Sequence, residues 1–337
     1  MTPPADIDVS ILIVSYNTKA LTLEAVSSAL HETVQCRLEI IVVDNASYDG
    51  SAAALAQHPA QPHVVALNEN IGFARANNLA ASRARGRYLL LLNPDTVVRD
   101  GAIDALVNFA GANPAAMIWG GRTLFADGRL NPSSCWQRMT LWNQFCRASG
   151  LTGIFPHSEL FNGEAYGGWQ RDSVRHVDIV SGCFFLIERE TWMTLGGFDA
   201  HFFMYGEEAD LCLRAAQLGA KPMVTPTATI VHLGGASETA RTAKMTKLLS
   251  AKASLIIRHW HPLLRPLGQS LLGIWPLSRA WALTLAAAFN KSAETRNAAQ
   301  TWREIWAQRH VWLNGYPDLD GTMPDTQAPN AALGQAA

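Results

Sequence analysis

Short apolar runs alternate with alanine-rich, polar stretches along the first hundred residues. The strand candidates are 9–15, 38–43, 64–67 and 88–92, and the helix candidates between them are 18–30, 51–57 and 72–85. Apolar strands that alternate with helices are typical of a parallel sheet with helices on both faces. The pattern therefore predicts an α/β fold with a Rossmann-like, mostly parallel central sheet flanked by helices.

The pattern changes in the second half of the chain. It weakens over 131–172, where Pro, Gly and Ser mix with scattered aromatics, so we expect a long excursion over the mouth of the site. Strands are predicted again near 177–187, followed by a helix over 207–218 and a strand that ends at His232.

The last hundred residues differ in composition from the rest. Beyond residue 237 the chain is helical in pattern and contains six of the eleven tryptophans, and its end is rich in Pro, Ala and Gln. We therefore expect one globular unit over 1–237, a helical extension over 238–315 and a disordered tail over 316–337.

Polar residues cluster where the predicted strands end. These residues are Ser15, Tyr16, Asn17, Asp44, Asn70, Asn93 and Asp95. Sheets of this kind bind ligands beyond the carboxyl ends of their strands. The coincidence predicts a binding site along this edge of the sheet.

The first two candidate positions have structural alternatives. Asp44 can accept hydrogen bonds from a base or ribose, or it can form a turn and cap the helix that starts near residue 47. Gly72 lets a backbone approach a ligand closely, or it simply opens a helix behind asparagine caps.

Asp95 follows a rigid proline turn in the sequence Asn93-Pro94-Asp95. A strand that delivers a carboxylate there suits a divalent cation bridging two phosphates. The same tripeptide is also an ordinary turn. His232 ends a later strand and precedes two glycines, so it is either a metal or phosphate ligand or a satisfied core histidine.

Three carboxylates lie in the first turn of the helix predicted to start at Glu207. The helix dipole explains part of this clustering. Asp210 and Arg214 form an i,i+4 pair that is expected to be structural. Glu207 and Glu208 remain, and a carboxylate held there can act as a general base with its ordinary pKa.

Overall charge and the cysteines exclude several classes of protein. With 27 Lys+Arg and 28 Asp+Glu the net charge is −1, so no global field recruits nucleic acid. The five cysteines form no Cys-x-x-Cys pair and suit a reducing compartment. The first residues lack the pattern of a signal peptide, and the apolar stretch 280–289 is too short to cross a bilayer.

The region 238–291 is unusually basic for a chain with balanced charge. It holds no acidic residue after Glu238, and its cations are Arg241, Lys244, Lys247, Lys252, Arg258, Arg265, Arg279 and Lys291. Interleaved tryptophans and leucines predict helices that lie on an anionic membrane surface. The alternative is a set of helices that pack on the globular unit and keep a solvated basic face.

The ordered set of motifs resembles family 2 glycosyltransferases with the A-type fold. The motifs are Ile-Val-Ser-Tyr-Asn, Val-Val-Asp-Asn-Ala-Ser, Asn-Glu-Asn-Ile-Gly-Phe, Leu-Leu-Asn-Pro-Asp-Thr, Ser-Gly-Cys-Phe-Phe-Leu-Ile and Phe-Phe-Met-Tyr-Gly-Glu-Glu-Ala-Asp. Each motif is weak singly, but their order over 9–237 is specific. Within the family the chain is most similar to bacterial rhamnosyltransferase-like enzymes.

The resemblance implies a role for each candidate residue. A nucleotide-sugar half over 1–120 would bind the donor through Ser15, Tyr16, Asn17, Asp44, Asn70, Gly72, Asn93 and Asp95. An acceptor half over 121–237 would use Ser181 and Gly182. Apart from the resemblance, Trp169, like Trp136 and Trp142, can stack on acceptor sugar faces, or it can simply close over the core. Asp95 and His232, with Asn93 as a weak third ligand, would hold Mg²⁺ or Mn²⁺. Glu208 would be the catalytic base, with Glu207 as the alternative.

Two positions depart from the family pattern. Asn93 stands where the metal motif often has Asp, and Glu208 stands where the base is often Asp. The first departure leaves room for a catalytically impaired sugar-nucleotide-binding or scaffold protein. Retention of Asp95, Glu208 and His232 argues against that alternative.

The resemblance implies transfer of a hexose, with rhamnose favoured, from a nucleotide diphosphate donor to a glycan or lipid-linked acceptor with inversion. The enzyme would work in the cytoplasm, peripherally on the inner face of the membrane. A nucleotidylyltransferase is less favoured, because its first strand should be followed by a glycine-rich loop. The turn here is Ser-Tyr-Asn-Thr-Lys.

Overall fold

A computed structural model describes residues 7–234, 241–289 and 292–317. The strands are β1 (Val9–Ser15), β2 (Leu38–Asp44), β3 (His63–Ala66), β4 (Tyr88–Leu92), β5 (Thr96–Val98), β6 (Ile118–Leu124), β7 (Cys135–Trp136), β8 (Arg175–His176), β9 (Ile179–Val180), β10 (Phe184–Glu188) and β11 (Met223–His232). The helices are α1 (Lys19–His31), α2 (Ser51–Ala56), α3 (Phe73–Arg83), α4 (Ala102–Ala112), α5 (Leu141–Ser149), α6 (Leu151–Ile154), α7 (Arg189–Leu195), α8 (Glu207–Gln217), α9 (Arg241–His259), α10 (Arg265–Phe289), α11 (Ala293–Ala307) and α12 (Arg309–Trp312).

The central sheet has the order β3-β2-β1-β4-β10-β6-β11-β5, and β8 pairs with β11. Strands β3, β2, β1 and β4 are parallel to one another. Helices α1, α2 and α3 connect them, as the apolar pattern predicted. The prediction of an α/β fold with a helix-flanked central sheet is confirmed.

The other half of the sheet is mixed. β10 runs antiparallel to both β4 and β6, whereas β6 and β11 are parallel. β5 and β8 both run antiparallel to β11. The prediction of a mostly parallel sheet therefore holds for β3, β2, β1 and β4, whereas the remaining strands pair in both directions. β4, β6 and β11 still end at one edge, because β10 reverses direction between them.

The core lies in two layers, one on each face of the sheet. Val9, Ile11 and Ile13 belong to the layer covered by α1 and α4, and Leu12 and Val14 belong to the layer under α3 and α8. Successive side chains of a strand point to opposite faces. A strand buried on both faces must therefore be apolar throughout, which explains the continuous runs in the sequence.

The stretch 131–172 is more regular than the sequence predicted. It contains α5 and α6, and α5 begins where the Thr140 side chain accepts a hydrogen bond from the Asn143 amide. One face of α5 buries Cys146 and Ala148, and α5 packs against α10. The excursion is therefore ordered partly by the carboxyl-terminal helices, which its own composition does not reveal.

The carboxyl-terminal helices form a third core with α5. Its large members are Leu249, Ile256, Leu272, Trp275, Trp302, Ile305 and Trp312. The predicted disordered tail began at residue 316, but Tyr316 is half-buried and contacts His201 and Phe202. Ordered chain thus extends past that boundary, and the rest of the tail, from 318 onward, lies outside the described residues.

One helical run within the described residues is long and apolar enough to cross a membrane. It comprises Pro262–Phe289, 28 residues, and 28% of its most apolar window is buried. The expectation of a stretch too short to span is therefore wrong by length and composition. The error arose because Arg265 and Arg279 interrupt the apolar sequence without interrupting the helix.

Candidate active site

The end of β2 is joined to the segment before α3 by asparagine side chains. Asn45 Nδ2 donates to Asn70 Oδ1 at 2.9 Å, and the Ile71 amide donates to Asn45 Oδ1 at 2.9 Å. Asp44, only 2% exposed, accepts from the Ser47 amide through Oδ2, while its Oδ1 has no hydrogen-bond partner. A buried carboxylate oxygen without a partner is costly unless a ligand satisfies it.

Two side chains at the end of β1 and in the loop after it form structural hydrogen bonds. Ser15 is fully buried and its hydroxyl lies 2.9 Å from that of Thr22, so it anchors α1. Asn17 has a left-handed φ of 53°, and its Oδ1 accepts from the Tyr48 amide at 2.9 Å. Asn17 thereby fixes the loop after β1 to the loop after β2, and Tyr16 between these residues is half-exposed.

Gly72 admits another part of the chain rather than only a ligand. A Cβ there would lie 2.6 Å from the Phe203 carbonyl oxygen, and its φ of +84° also disfavours a side chain. The next amide, of Phe73, donates to that carbonyl at 2.8 Å. The glycine therefore lets the segment before α8 reach the edge formed by β2 and α3.

Asp95 and His232 meet at the ends of β4 and β11. His232 Nε2 lies 3.3 Å from Asp95 Oδ1 and 3.3 Å from Asn93 Nδ2. Burial alone would lower the pKa of His232, but Cys183 and Asp95 beside it raise that pKa to about 10. Burial raises the pKa of Asp95, but the hydrogen bond and charge of His232 outweigh burial and leave that pKa below its usual value. His232 Nδ1 has no hydrogen-bond partner.

Two residues beside this pair, Cys183 and Asn131, and one further along β6, Arg122, were not predicted from the sequence. Cys183 is buried beside His232, and its carbonyl accepts from the Asn93 amide at 3.2 Å. Asn131 Nδ2 donates to the His232 carbonyl at 3.2 Å. Arg122 lies near the end of β6 with a buried Nε that has no partner. Only Cys183 stood within a quoted motif, and a lone Asn or Arg carries no sequence signal of its own.

The glutamate pair occupies the first turn of α8. Burial and then the charge of Glu208 raise the pKa of Glu207 well above 4.5, and burial raises the pKa of Glu208. One carboxylate oxygen of each residue is buried without a hydrogen-bond partner. The sequence analysis assumed an ordinary pKa for this pair. A raised pKa instead suits a group that exchanges protons near neutral pH.

Asp210 on the same helix has the structural role expected of it. It binds Arg214 at 2.7 Å and His259 of α9 at 2.8 Å. Arg214 also donates to the Leu195 and Gly197 carbonyls. Because Arg214 and His259 engage both oxygens of Asp210, Glu207 and Glu208, each with one unpartnered oxygen, are the carboxylates of α8 left for chemistry.

The three acceptor-side candidates lie in two places. Ser181 and Gly182 form the turn into β10, and Gly182 faces the Phe73 ring. Trp169 lies in a separate cluster, where Arg171 and Arg175 stack on its ring at 4.9 and 5.1 Å. Its indole donates to Ser173. Ser181 and Gly182 thus adjoin the strand ends, whereas Trp169 is engaged within the 131–172 excursion.

A chain of contacts connects the separate parts of this edge. Its links are Asn45 to Gly72, Gly72 to Phe203 before α8, Phe73 to Gly182, Cys183 to Asn93, and Asn93 to His232. These contacts link the end of β2, the Asp95–His232 pair and the segment that leads into α8. Such an arrangement can hold a base, a diphosphate and a proton acceptor together.

Comparison with known proteins places the chain among sugar transferases. The family model "Glycosyl transferase family 2" matches residues 10–178, half of the chain. The O-antigen biosynthesis protein RfbC of Myxococcus xanthus is 28% identical over 239 residues, which are 69% of this chain but 18% of that protein. The N-acetylglucosaminyl-diphospho-decaprenol L-rhamnosyltransferase of Mycobacterium tuberculosis is 26% identical over 222 residues, 62% of this chain and 71% of that protein.

Solved structures share the fold at low identity. A mannosyltransferase of Pyrobaculum calidifontis, solved with GDP-Man and Mn²⁺, has a TM-score of 0.56 at 18% identity and covers 92% of this chain and 91% of its own. Residues 1–349 of S. aureus TarS with UDP-GlcNAc give a TM-score of 0.50 at 14% identity, with coverage of 92% and 84%. At these identities the likeness concerns the fold alone.

Proposed function

Because the chain belongs to glycosyl transferase family 2, as its motifs predicted, we propose that it transfers a hexose from a nucleotide diphosphate donor to an acceptor hydroxyl with inversion. Rhamnose is the favoured sugar, since a relative that this chain matches over 71% of the relative's length is named a rhamnosyltransferase. The favoured acceptor is a lipid-linked or glycan saccharide of cell-envelope synthesis, by analogy with the same relatives.

One observation carries the proposal: contacts along the strand ends link a buried acid–imidazole pair to the segment that leads into a buried glutamate pair. Asp95 and His232 lie 3.3 Å apart at the strand ends. Glu207 and Glu208 start α8, and the segment before them contacts α3 through the hydrogen bond from the Phe73 amide to the Phe203 carbonyl. Transfer from a diphosphate donor needs these two functions, one for the leaving group and one for the acceptor proton.

The residues around Asp95 fit a divalent metal ion. A carboxylate oxygen and an imidazole nitrogen lie 3.3 Å apart, and His232 would have to release a proton to bind a metal. The described residues hold no group of three or more His, Cys, Asp or Glu side chains that could bind a metal. Mg²⁺ and Mn²⁺ fit this set, because diphosphate oxygens and water complete such sites. When bound, the metal would stabilise negative charge on the leaving diphosphate.

The protein's own side chains account for the remaining steps. Asp44 is expected to accept hydrogen bonds from the nucleoside through its unpartnered Oδ1. Glu208 is expected to take the proton of the acceptor hydroxyl as that oxygen attacks from the face opposite the leaving group. Glu207 is only 4% exposed whereas Glu208 is half-buried, so Glu207 is expected to keep its proton and leave Glu208 as the ionised member.

Replacing Glu208 and Asp95 tests this assignment. We expect Glu208→Gln and Asp95→Ala each to lower transfer by about 10²- to 10⁴-fold, measured with dTDP-rhamnose, UDP- and GDP-sugars and a lipid-diphosphate N-acetylglucosamine acceptor. Glu190→Gln, on the exposed start of α7, is the matched control and should retain activity. Full activity in both test variants would overturn the mechanism, and loss only in Glu207→Gln would transfer the role of base to Glu207.

We further propose that α10 lies on an anionic membrane surface at the cytoplasmic face. The described part of 241–289 has no acidic residue, and Trp281, Leu285 and Phe289 are all well exposed on α10. Not every cation of this region is available to lipid, because Lys252 pairs with Glu164 and Arg258 pairs with Asp199. Exposed apolar side chains beside the remaining cations suit an interfacial helix.

Flotation with vesicles tests the membrane proposal. The chain should float with phosphatidylglycerol vesicles at low salt, and Leu285→Glu should reduce the bound fraction several-fold. Leu218→Glu is the matched control, because Leu218 is exposed to a similar degree, 55% against 64%, but ends α8. No flotation of the unmodified chain, or equal loss in both variants, would overturn it.

A further inference from the structure

The segment 199–206 leads directly into the glutamate pair and has a strained backbone. Tyr205 has a left-handed φ of 69°, and Gly206, the residue before Glu207, has a φ of +91°. A non-glycine residue in this conformation persists only where surrounding contacts hold it. The contacts that hold this segment therefore determine where the two glutamates lie.

Tyr316, from the far end of the described chain, provides several of these contacts. Its hydroxyl donates to the Met204 carbonyl, and its amide donates to Ser254 Oγ at 2.8 Å. The same Ser254 hydroxyl lies 3.0 Å from His201 Nε2. Tyr316 thus binds the backbone of the 199–206 segment at Met204, and Ser254 of α9 binds its His201 side chain.

Helix α9 closes against the same segment. A Cβ on Gly206 would lie 3.1 Å from the Ala251 Cβ, so α9 leaves no space beside the residue that precedes Glu207. Arg258 pairs with Asp199, and Phe202 is fully buried against the Tyr316 ring, 6.2 Å between centroids. The 199–206 segment therefore has contacts at its start, middle and end with residues outside the family-matched region 10–178.

We propose that Tyr316 is a positioning residue for the glutamate pair, and that the carboxyl-terminal region is in this way a functional part of the active site. The inference rests on the proposed role of Glu208. Tyr316 acts through the Met204 carbonyl and the strained turn at Tyr205. A displacement of about 1 Å at a reacting group can cost about 100-fold in rate.

The expected effect is selective for turnover. Tyr316→Phe keeps the ring that packs on His201 and Phe202 but removes the hydroxyl that fixes Met204. We expect kcat to fall about tenfold or more, while the donor KM and the thermal shift caused by the nucleoside diphosphate stay within about twofold. Ser254→Ala removes the other attachment and should produce the same kcat-selective loss.

Two comparisons make the test decisive. Tyr88→Phe is the control, because Tyr88 starts β4 at the opposite end of the strand from Asn93 and packs on Trp119. It should leave kcat unchanged. Unchanged kcat in Tyr316→Phe and Ser254→Ala, or a loss matched by a weaker donor KM and a lower melting temperature, would overturn the inference. If Glu208→Gln and Glu207→Gln are also fully active, the proposed function fails instead.

Discussion

The candidate site has a proposed donor side, at the ends of β1, β2 and β4, and a proposed acceptor side, at the start of α8, and the two sides are held in different ways. On the donor side, neighbouring strand ends are joined across short sequence distances, as Asn45 is to Asn70 and Asn17 is to Tyr48. On the acceptor side, the glutamate helix is held from far along the chain, since Tyr316 binds the carbonyl of Met204. The donor side is a product of the strand–helix repeat, whereas the acceptor side depends on the carboxyl-terminal helices.

The chemistry of the supporting contacts differs as well. Asp104 of α4 accepts the backbone amides of Val34, Gln35 and Cys36, in the loop that enters β2, at 2.8 to 3.1 Å, and also binds the Cys36 thiol. Glu164, behind the acceptor side, is buried between two cations, Arg147 at 3.0 Å and Lys252. A buried ion network is sensitive to the loss of one member, because the remaining charges stay buried without compensation.

The largest expected effect that separates the two sides is that of Glu164→Gln. It leaves Arg147 and Lys252 buried and facing each other, so we expect a loss of about 3–5 kcal/mol in the free energy of unfolding. Asp104→Asn, in the strand–helix half of the chain, keeps one acceptor oxygen and should cost about 1–3 kcal/mol. Urea denaturation measures both, and an equal cost would contradict the contrast drawn here.

Acid should reveal the same network in the unmodified chain. Burial raises the pKa of Glu164, but Arg147 and Lys252 outweigh it and lower that pKa to about 2. A carboxyl with a lowered folded-state pKa stabilises the fold above its unfolded value of about 4.5, and this stabilisation is lost as the pH falls toward 2. Glu164→Gln should therefore have a flatter stability profile over that range.

How much the sequence could predict follows the same division. The strands up to Leu92 and the helices between them were located to within a few residues, because burial on both faces forces an apolar run. The residues at their ends, such as Asp44 and Asp95, followed from the topology of parallel sheets. Family membership followed from the order of these motifs and is confirmed.

The acceptor side could not be predicted in the same way. Helix α5 has a buried face that is apolar only in part, with Asn143 and Gln144 among its buried residues, so its period was obscured. Tyr316 stands in a polar stretch whose composition indicated a tail. Its position is determined by contacts with His201 and Met204, more than a hundred residues away, and local pattern carries no record of such contacts.

A smaller expected effect tests the donor side directly. Asp44→Asn keeps the geometry of the turn but removes the charge from the unpartnered Oδ1. A hydrogen bond to a charged acceptor contributes about 1.5–3 kcal/mol, so the donor KM should rise roughly tenfold or more. The kcat at saturating donor should change little, the opposite of the Tyr316→Phe pattern. A loss of kcat without a rise in donor KM in Asp44→Asn would contradict the view that the proposed donor side mainly binds the donor.

The smallest expected effect concerns the free energy of unfolding, which the burial of Glu207 lowers when its carboxyl ionises. Burial, then the charge of Glu208, raise the pKa of Glu207, so the folded chain binds more protons than the unfolded chain. Stability must then fall as the pH rises from about 4.5 through the raised pKa. Glu207→Gln removes this penalty and should stabilise the fold on the order of 1 kcal/mol at pH 8, but hardly at pH 4. Thermal unfolding at both pH values measures the difference, with exposed Glu190→Gln as the control. A gain that is independent of pH would show that the Glu207 carboxyl is not held in a buried, proton-retaining site.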